Sequence, residues 1–315
     1  MAESPLIGVV TVTYNSATVL PDFLRCMAEQ TYRDFLLFAV DNASKDATTQ
    51  LLSECSDTRL RVIANSDNRG VAEGNNQGIR AALDAGCSSV LLINNDTEFG
   101  STLIEQLNMG LITDRVEMTC PKIMYYDEPD RIWAVGGAFQ LWRGCRSIHF
   151  GEGEIDHGQY DQVRLITYVP TCCVLIKKEV FEEVGVMDAR YFVYWDDTDF
   201  MYRAMKAGMK LECLPGTTLL HKAGSLTGGG DNDTPFAIRY GTRNSIFFLL
   251  KHFGLIPTLP WLALCQVIWF NKLLFRRKPK SWFAMKQSAF GESLAMWWKG
   301  KGLSTTEIEG RGQDY

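Results

Sequence analysis

The sequence predicts an α/β protein built on a mixed, mostly parallel sheet flanked by helices, with a helical appendage at the C-terminus. Strand-like and helix-like segments alternate through the first hundred residues, which is the pattern of βαβ units and a parallel sheet. The strand-like segments are short apolar runs, as expected of strands buried on both faces. The 315 residues are enough for one large domain, or for a domain with an appendage.

Seven elements are predicted in the first part of the chain. Strands are expected at residues 7–14, 35–40, 60–64 and 89–93, and helices at residues 18–30, 46–54 and 71–85. Asn15 and Ser16 offer side-chain caps to the first helix. Because ligands of such sheets bind beyond the carboxyl ends of the strands, the polar residues at these ends are site candidates: Tyr14, Asp41 and Asp96.

The remainder of the chain is less regular. Residues 121–168 are rich in glycine, aromatic and turn residues, so short antiparallel strands are expected there. Beyond them we predict a strand at 169–176, a helix at 179–183, a helix running to about 207, and a strand at 209–213 with His221 in the following loop. Gly70, Gly74 and Gly78 recur every four residues without forming a dinucleotide fingerprint or P-loop, which favours close packing of a helix.

The predicted boundaries are an α/β domain at 1–250, an apolar and basic helical region at 251–303, and a flexible tail at 304–315. No charged residue occurs between Phe253 and Asn271, and basic residues follow at once. Prolines interrupt this stretch, so an interfacial amphipathic segment fits better than a transmembrane helix, with a peripheral membrane contact through residues 253–280. The alternative is a core-packed C-terminal helix with a basic solvent face.

Charge and cysteine usage narrow the function classes. The net charge of −5 argues against general nucleic-acid binding. It hides an asymmetry: Lys272–Gly302 holds eight Lys or Arg residues and one acid, a net of +7, so the rest of the chain carries −12. Nine cysteines lack CxxC spacing, which indicates reduced thiols. The start of the chain does not resemble a signal peptide, so a cytoplasmic location is expected.

The first candidate for chemistry is Asn94-Asn95-Asp96, which directly follows an apolar strand. A carboxylate at such a position can hold Mg²⁺ or Mn²⁺ against a pyrophosphate, with the phosphates supplying further ligands. The alternative is that Asp96 caps a helix or a turn.

The second candidate is the acidic block at residues 195–199, which holds Asp196, Asp197 and Asp199 ahead of a helix. Helix capping would need only one or two of these acids. Repulsion between Asp196 and Asp197 would raise a carboxyl pKa, which suits a general base. His221 is a candidate third metal ligand or a structural histidine, and the glycine-rich loop at 224–230 is a candidate lid or a plain surface loop.

In their order and spacing, these motifs resemble the family 2 glycosyltransferases with a GT-A fold, in particular the bacterial rhamnosyltransferase-like and galactofuranosyltransferase-like branch. The resemblance covers roughly residues 6–250. It rests on the motifs at 11–16, 41–46, 68–76, 91–97 and 195–199, on His221, and on Arg239-Tyr-Gly-Thr-Arg-Asn244.

The resemblance implies a donor site for a nucleotide sugar. Its nucleoside would be bound by Thr13, Tyr14 and Asp41, with Asp41 accepting a hydrogen bond from the pyrimidine imide. Two residues of the motif at 68–76 would also face the donor: Arg69 would lie near the base and Asn75 close to the donor. Lys222 and Arg243 would contact the phosphates.

The resemblance also implies the metal and the base. Asn94-Asn95-Asp96 occupies the place of the family's DxD motif, with Asp96 as the principal ligand of a divalent metal and Asn94 as a weak or outer ligand. His221 matches the late metal-binding histidine of the family. Asp197 matches the catalytic base, with Asp196 as the second choice.

The implied reaction is a single in-line displacement that inverts the anomeric centre. The donor would be dTDP-rhamnose or a UDP-linked hexose or galactofuranose, and the acceptor a hydroxyl of a growing cell-surface glycan. A lipid-linked acceptor, used at the inner face of the cytoplasmic membrane, would explain the apolar and basic C-terminal region. The altered DxD motif leaves one rival, a non-enzymatic sugar-binding or scaffold module. The missing glycine fingerprint argues against a nucleotide-binding oxidoreductase.

Overall fold

One mixed sheet lies between two layers of helices. The computed structural model describes residues 5–113, 115–162, 164–222 and 234–300. In this part of the chain the main sheet has ten strands, and eight of them follow the order β10-β12-β6-β11-β4-β1-β2-β3. Strands β3, β2, β1 and β4 are parallel, whereas β11 runs antiparallel to both β4 and β6. The predicted fold class is confirmed.

The strands alternate with helices through the N-terminal part and become shorter after β6. Their bounds are β1 (Ile7–Thr13), β2 (Phe35–Asp41), β3 (Leu60–Ala64), β4 (Ser89–Ile93), β5 (Thr97–Phe99), β6 (Met118–Tyr125), β7 (Ile132–Ala134), β8 (Gly137–Gln140), β9 (Arg146–His149), β10 (Arg164–Ile166), β11 (Cys173–Lys177) and β12 (Leu211–His221). Strands β8 and β9 form a separate antiparallel hairpin.

Nine α-helices lie in the described residues. Their bounds are α1 (Leu20–Ala28), α2 (Thr48–Glu54), α3 (Gly70–Asp84), α4 (Leu103–Thr113), α5 (Lys178–Val184), α6 (Asp196–Lys206), α7 (Pro235–Phe253), α8 (Leu255–Leu274) and α9 (Lys280–Gly300). Helices α3, α5 and α6 pack against one face of the sheet, and α1, α2 and α4 pack against the other. Neighbouring residues of β1 therefore enter opposite cores, Val10 the first and Val9 the second.

The glycines of α3 let this helix approach β1 closely. A Cβ on Gly78 would lie 2.2 Å from a methyl carbon of Val10, and a Cβ on Gly74 would lie 2.8 Å from Val12. Neither position leaves space for a larger side chain without displacing β1. The predicted role of these glycines in helix packing is confirmed.

Two local predictions are wrong. His221 is the last residue of β12 rather than part of a loop, because β12 continues eight residues beyond Cys213. The turn-forming pair Pro215-Gly216 does not end the strand, since a register shift between Leu214 and Thr218 accommodates it as a bulge. The side chain of Ser16 does not cap α1; its hydroxyl accepts a hydrogen bond from the Tyr14 amide, and its carbonyl accepts the Val19 amide.

Helices α7, α8 and α9 pack on one another after the last strand. Helix α7 continues past the predicted domain boundary at residue 250 and ends at Phe253. A separate apolar core forms among the three helices around Leu250, Trp269 and Trp282. In the described part of the chain, none of the helices is both long and apolar enough to cross a membrane. The predicted tail at 304–315 and the loop at 224–230 lie outside the described residues.

Candidate functional site

The first group of polar residues lies where β1 and β2 end side by side. Thr13 and Asp41 are register partners, and the Thr13 hydroxyl donates to Asp41 Oδ1 at 2.9 Å. The backbone N–H of Ser44 donates to Asp41 Oδ2 at 3.0 Å, and its hydroxyl donates to Oδ1 at 2.5 Å. These donors hold a buried carboxylate in one orientation, and the adjacent Tyr14 ring is 43% exposed. The three residues predicted for the nucleoside therefore lie together.

Arg69 and Asn75 lie at the start of α3 and one turn into it. Arg69 pairs with Asp67 at 3.2 Å, while its Nε is buried and makes no hydrogen bond within the described residues. The Asn75 amide points to the sulfur of Met187 at 3.7 Å. Asn75 thus contacts the segment that precedes α6. For Arg69 and Asn75, direct contact with a donor stays a prediction.

The Asn94-Asn95-Asp96 motif follows β4 and precedes β5. The Asn95 amide donates to the carbonyl of Val12 at 2.7 Å, which ties the motif to the end of β1. The side-chain oxygen of Asn95, Oδ1, is buried, and no hydrogen-bond partner for it occurs in the described residues. Asp96 is 4% exposed, so its carboxylate is positioned inside the site rather than at the surface.

Asp96 and His221 are brought together by the pairing of β5 with β12. Thr97 is the register partner of His221, and the Lys222 amide donates to the Asp96 carbonyl at 2.9 Å. His221 Nε2 consequently lies 3.4 Å from Asp96 Oδ1. Trp133 packs edge-on against the His221 ring, with centroids 4.7 Å apart. The two predicted metal ligands, which are distant in sequence, are thus neighbours in space.

The donor atoms of this pair fit a divalent cation. A carboxylate oxygen suits Mg²⁺ and Mn²⁺, and an imidazole nitrogen suits a transition-type ion. In the described ranges, no three His, Cys, Asp or Glu side chains converge as a metal site. A cation held here would have Asp96 and His221 as its protein ligands, which leaves coordination positions for phosphate oxygens.

The acid pair lies at the N-terminus of α6, and its two members have different surroundings. Burial, and then the nearby Asp197 carboxylate, raise the pKa of Asp196 to about 8. Asp197 is only half-buried, and it accepts a hydrogen bond at 2.7 Å from the Tyr168 hydroxyl and one at 2.6 Å from the Thr198 amide. Asp196 therefore retains its proton at neutral pH, while both oxygens of Asp197 are oriented by donors.

Asp199, the third acid of the block, has a structural role. It is fully buried, forms ion pairs with Arg203 at 2.9 Å and Lys251 at 2.8 Å, and is hydrogen-bonded to His252 Nε2 at 2.7 Å. Burial alone would raise its pKa, but the charges of Lys251 and Arg203 hold the pKa well below the usual range. The ion pairs join α6 to the last turn of α7.

The loop that leads into the acid pair has an unusual backbone. Phe192, Tyr194 and Trp195 have φ angles of 66°, 62° and 68°, in the left-handed region that bulky residues rarely occupy. The buried Asn244 amide donates to the carbonyls of Tyr191, Val193 and Tyr194 at 2.8–2.9 Å. Asn244 thus holds the loop in the conformation that presents Asp196 and Asp197.

Arg243 and Lys222, the two predicted phosphate partners, are both engaged by protein groups. Arg243 Nη2 donates to the carbonyls of Arg190 and Tyr191 at 3.0 and 2.8 Å. The Lys222 ammonium forms ion pairs with Asp22 at 2.7 Å and Glu98 at 2.6 Å. Their predicted contact with a donor would require these interactions to rearrange, and it stays a prediction.

Sequence reasoning missed the residues that connect these groups. Trp133 lies 4.7 Å from the rings of both His221 and His149, and His149 stacks on Tyr168 with centroids 5.8 Å apart. This series of rings leads from His221 to Tyr168, whose hydroxyl contacts Asp197. Asn244 ends a motif already singled out, but nothing in the sequence marks Trp133, His149 or Tyr168.

We expect Asn244→Ala to lower kcat by about a hundredfold, with the KM for the donor changed by about twofold or less, because misplacing a reacting group by 1 Å costs roughly this much. Three buried carbonyls would also lose their donor, so the melting temperature should fall by several degrees. Steady-state kinetics and calorimetry measure both effects. Thr242→Val is the matched control, since Thr242 is equally buried on α7 but bonds Lys286. An unchanged kcat in Asn244→Ala would contradict the positioning role.

Known proteins resemble this chain in both sequence and fold. The dTDP-rhamnosyl transferase RfbF of Shigella flexneri is 24% identical over 249 residues, covering 77% of this chain and 79% of its own. The N-acetylglucosaminyl-diphospho-decaprenol L-rhamnosyltransferase of Mycobacterium tuberculosis is 27% identical over 248 residues, covering 71% and 78% respectively. Because these relatives are named for sugar transfer, nothing favours the non-enzymatic alternative.

Solved structures confirm the GT-A fold. GalNAc-T7 with UDP, GalNAc and Mn²⁺ matches 80% of this chain with a TM-score of 0.62 and 15% identity, although this chain spans about half (48%) of that protein. The Pyrobaculum calidifontis mannosyltransferase PcManGT with GDP-Man and Mn²⁺ matches 95% of this chain and 88% of its own, with a TM-score of 0.55 and 14% identity.

The family model named Glycosyl transferase family 2 matches residues 8–185. This range extends from β1 to the end of α5, and it contains the Thr13–Asp41 pair and Asn94-Asn95-Asp96. The acid pair, His221 and the C-terminal helices lie beyond it. Since the match covers more than half of the chain, this protein belongs to glycosyl transferase family 2.

Proposed function

We propose that this glycosyltransferase is metal-dependent and inverts the anomeric centre of the sugar it transfers. The observation that carries this proposal is the Asp96–His221 pair, with 3.4 Å between carboxylate oxygen and ring nitrogen. This pair is connected by Trp133, His149 and Tyr168 to the oriented Asp197 carboxylate. The proposed leaving-group site and the proposed base thus lie at opposite ends of this series of rings, an arrangement that suits an in-line displacement.

The donor's nucleoside binds at the ends of β1 and β2. Asp41 accepts a hydrogen bond from the pyrimidine imide, Thr13 orients this carboxylate, and Tyr14 contacts the nucleoside with its exposed ring. Arg69 lies near the base and Asn75 near the donor. Lys222 and Arg243 remain candidate phosphate contacts, subject to the rearrangement of their present partners. The three donors on the buried Asp41 carboxylate support this assignment because they prepare it to recognise an N–H group.

Asp96 and His221 are the residues that would hold Mg²⁺ or Mn²⁺, with Asn94 and Asn95 beside them. When bound, the cation neutralises the charge that develops on the departing nucleoside diphosphate. Asp197 takes the proton of the acceptor hydroxyl as its oxygen attacks the anomeric carbon, and no covalent sugar–enzyme intermediate forms. Tyr168 and the Thr198 amide keep the Asp197 oxygens aimed during this transfer. Asp196 is the second choice for the base, and it would first have to lose the proton that it retains at neutral pH.

The first candidate donor is dTDP-rhamnose, followed by UDP-linked hexose or galactofuranose. Support comes from the two relatives named as rhamnosyl transferases, one of them named for a dTDP-linked donor and the other for a decaprenol-linked acceptor. We therefore propose a hydroxyl of a growing cell-surface glycan as the acceptor, including a lipid-linked one. The reaction would take place at the inner face of the cytoplasmic membrane, with a peripheral contact through residues 253–280.

A donor panel tests the proposed function. The purified full chain, with Mn²⁺ or Mg²⁺, is expected to release dTDP or UDP from one of the proposed donors at least tenfold faster than GDP from GDP-mannose. Asp41 is oriented to accept a hydrogen bond from the imide N–H of uracil or thymine. Guanine also offers a ring N–H, so the comparison with GDP-mannose tests the proposed preference for a pyrimidine base rather than hydrogen bonding alone. Nucleotide release is measured by chromatography, and NMR of the product reports the anomeric configuration. Retention of configuration, or a preference for GDP-mannose, would refute the proposal.

A further inference from the structure

The outward face of α8 is apolar and exposed. Its sequence from Leu255 to Asn271 contains no charged residue. Only three of its side chains are fully buried against the protein, Thr258, Leu262 and Trp269. The exposed side includes six large apolar residues: Ile256 (80% exposed), Leu259, Leu264, Val267, Phe270 and Leu274. Single exposed apolar residues are common, but a continuous apolar surface indicates a binding face.

These exposed residues form one stripe along the helix. They recur at intervals of three to five positions, which keeps them on one side of a helix with 3.6 residues per turn. From Ile256 to Leu274 the stripe runs for about 27 Å at 1.5 Å per residue. A helix of this kind, apolar on one side and packed against protein on the other, can lie along a membrane surface.

Basic residues stand at the C-terminal end of the stripe. The connection between α8 and α9 borders a cleft of about 790 Å³, lined by Arg276, Arg277, Lys278 and Lys280 together with apolar side chains such as Leu274 and Phe283. The lining of this cleft contains no acid. Four cations beside apolar walls suit a ligand that has an anionic head and an apolar chain.

The β8–β9 hairpin joins this surface to the site. At its tip, Leu141 is 63% exposed and Arg143 and Arg146 are exposed. Gly144 lies so close to Trp261 of α8 that an added Cβ would be 2.9 Å from the indole ring. Ser147, the second residue of β9, lies 3.5 Å from the Thr198 hydroxyl, next to Asp197. One short hairpin therefore spans from α8 to the proposed base.

We propose that the α8 stripe, the basic cleft and the hairpin tip form one docking surface for a bilayer that contains anionic phospholipid. The stripe enters the interface between headgroups and acyl chains, and the cleft binds headgroup phosphates. Docking then brings the Asp197 end of the site close to the membrane, where an acceptor carried by a lipid would present its hydroxyl. This inference rests on the proposed function, whose peripheral membrane contact it deepens by naming the lipid class and the residues that bind it.

Charge complementarity favours the bilayer over a second copy of the chain. The stretch Lys272–Gly302 carries a net +7 while the rest of the chain carries −12. A symmetric dimer through α8 would bury the apolar stripe, but it would bring no acid from α8 to the basic residues, because this helix contains none. An anionic bilayer surface supplies both the apolar phase and the negative charge.

Vesicle flotation of the full chain tests this proposal. We expect the protein to float with vesicles of phosphatidylcholine and phosphatidylglycerol, and at least tenfold less with phosphatidylcholine alone. The double variant Arg276→Glu/Arg277→Glu should lose about tenfold or more of the binding to anionic vesicles. Val267→Asp/Phe270→Asp should lose binding to both kinds of vesicle. Ile112→Asp is the matched control, since Ile112 is 64% exposed on the distant helix α4, and it should bind as the wild type does.

Two further measurements keep the result unambiguous. Thermal unfolding and UDP binding show that each variant is folded, so a loss of flotation reports the surface alone. Light scattering without lipid identifies the rival occupant: a wild-type dimer that Val267→Asp/Phe270→Asp converts to a monomer would overturn the proposal. Absence of wild-type flotation with anionic vesicles would also overturn it. Nucleotide release from the donor panel is measured without vesicles, so failure of the proposed function is detected separately.

Discussion

Asp197→Asn is expected to abolish sugar transfer, with a fall in kcat of at least about a hundredfold, because general base catalysis typically contributes 10²–10⁴-fold. The amide keeps the size of the carboxylate but cannot accept the proton of the acceptor hydroxyl. Donor binding should be retained, since Asp41 and Thr13 lie at the ends of other strands. Transfer is measured as product formed at saturating donor, and binding as the calorimetric Kd for UDP or dTDP.

Asp196→Asn is the matched control for this prediction. Burial and the adjacent Asp197 raise the pKa of Asp196 to about 8, so at pH 7 this side chain is mostly the neutral acid. A neutral amide of the same size resembles it, and kcat should stay within about tenfold of the wild type. If Asp196→Asn lost transfer and Asp197→Asn retained it, Asp196 would be the base. Full activity in Asp197→Asn would remove Asp197 from this role.

Chelation of divalent cations is expected to stop donor turnover, and excess Mn²⁺ or Mg²⁺ should restore it. The physical reason is the charge of the leaving nucleoside diphosphate, which the site can neutralise only weakly because Lys222 is already paired with Asp22 and Glu98. Nucleotide release is followed with EDTA and after addition of metal. Turnover that EDTA leaves unchanged would exclude the proposed metal role of Asp96 and His221.

Variants of the two proposed ligands locate the cation. Asp96→Asn and His221→Ala should each raise the Mn²⁺ concentration needed for half-maximal turnover by at least tenfold, because each removes one of two protein ligands. Titration of Mn²⁺ by electron paramagnetic resonance in the presence of UDP measures the same loss without turnover. Glu98→Gln is the control, since it removes a nearby carboxylate that pairs with Lys222. An equal loss in Glu98→Gln would indicate a general effect of negative charge.

The parallel half of the sheet could be predicted from local patterns. The bounds of β3 and β4 agree with the prediction, and those of β1 and β2 differ from it by one residue. These strands are apolar runs bounded by turn residues, and α3 has glycines where it touches β1. Such signals are local, because a short segment that is buried has apolar residues at consecutive positions.

The other half of the sheet, in which parallel and antiparallel pairings are mixed, was harder to predict because its signals are weak or interrupted. Strand β12 passes through Pro215-Gly216 with a bulge, and this pair resembles a strand end when only the sequence is considered. The predicted strand therefore ended too early, at residue 213, and His221 was assigned to the following loop. The pairing of β12 with β5 and β6 decides its position, and pairing between segments about a hundred residues apart has no local pattern.

The acid block shows where sequence reasoning reaches its limit. Three acids within four residues indicated a site, and repulsion between Asp196 and Asp197 was expected to raise a carboxyl pKa. In the structure, burial contributes more than the neighbouring Asp197 to the raised pKa of Asp196. Asp199 instead forms ion pairs with Arg203 and with Lys251 of α7. The sequence contains the same residue type three times. Only the partners that folding brings to each carboxylate make their chemistry different.

Local patterns in the chain were thus enough to establish the α/β class, the strand ends that carry Asp41 and Asp96, and the motif order that identifies the family. The tertiary structure alone decided that His221 faces Asp96, that Tyr168 holds Asp197, and that Asn244 supports the loop before it. The physical reason is range: periodicity reports the burial of each segment, whereas hydrogen bonds between distant side chains depend on how the packed segments meet.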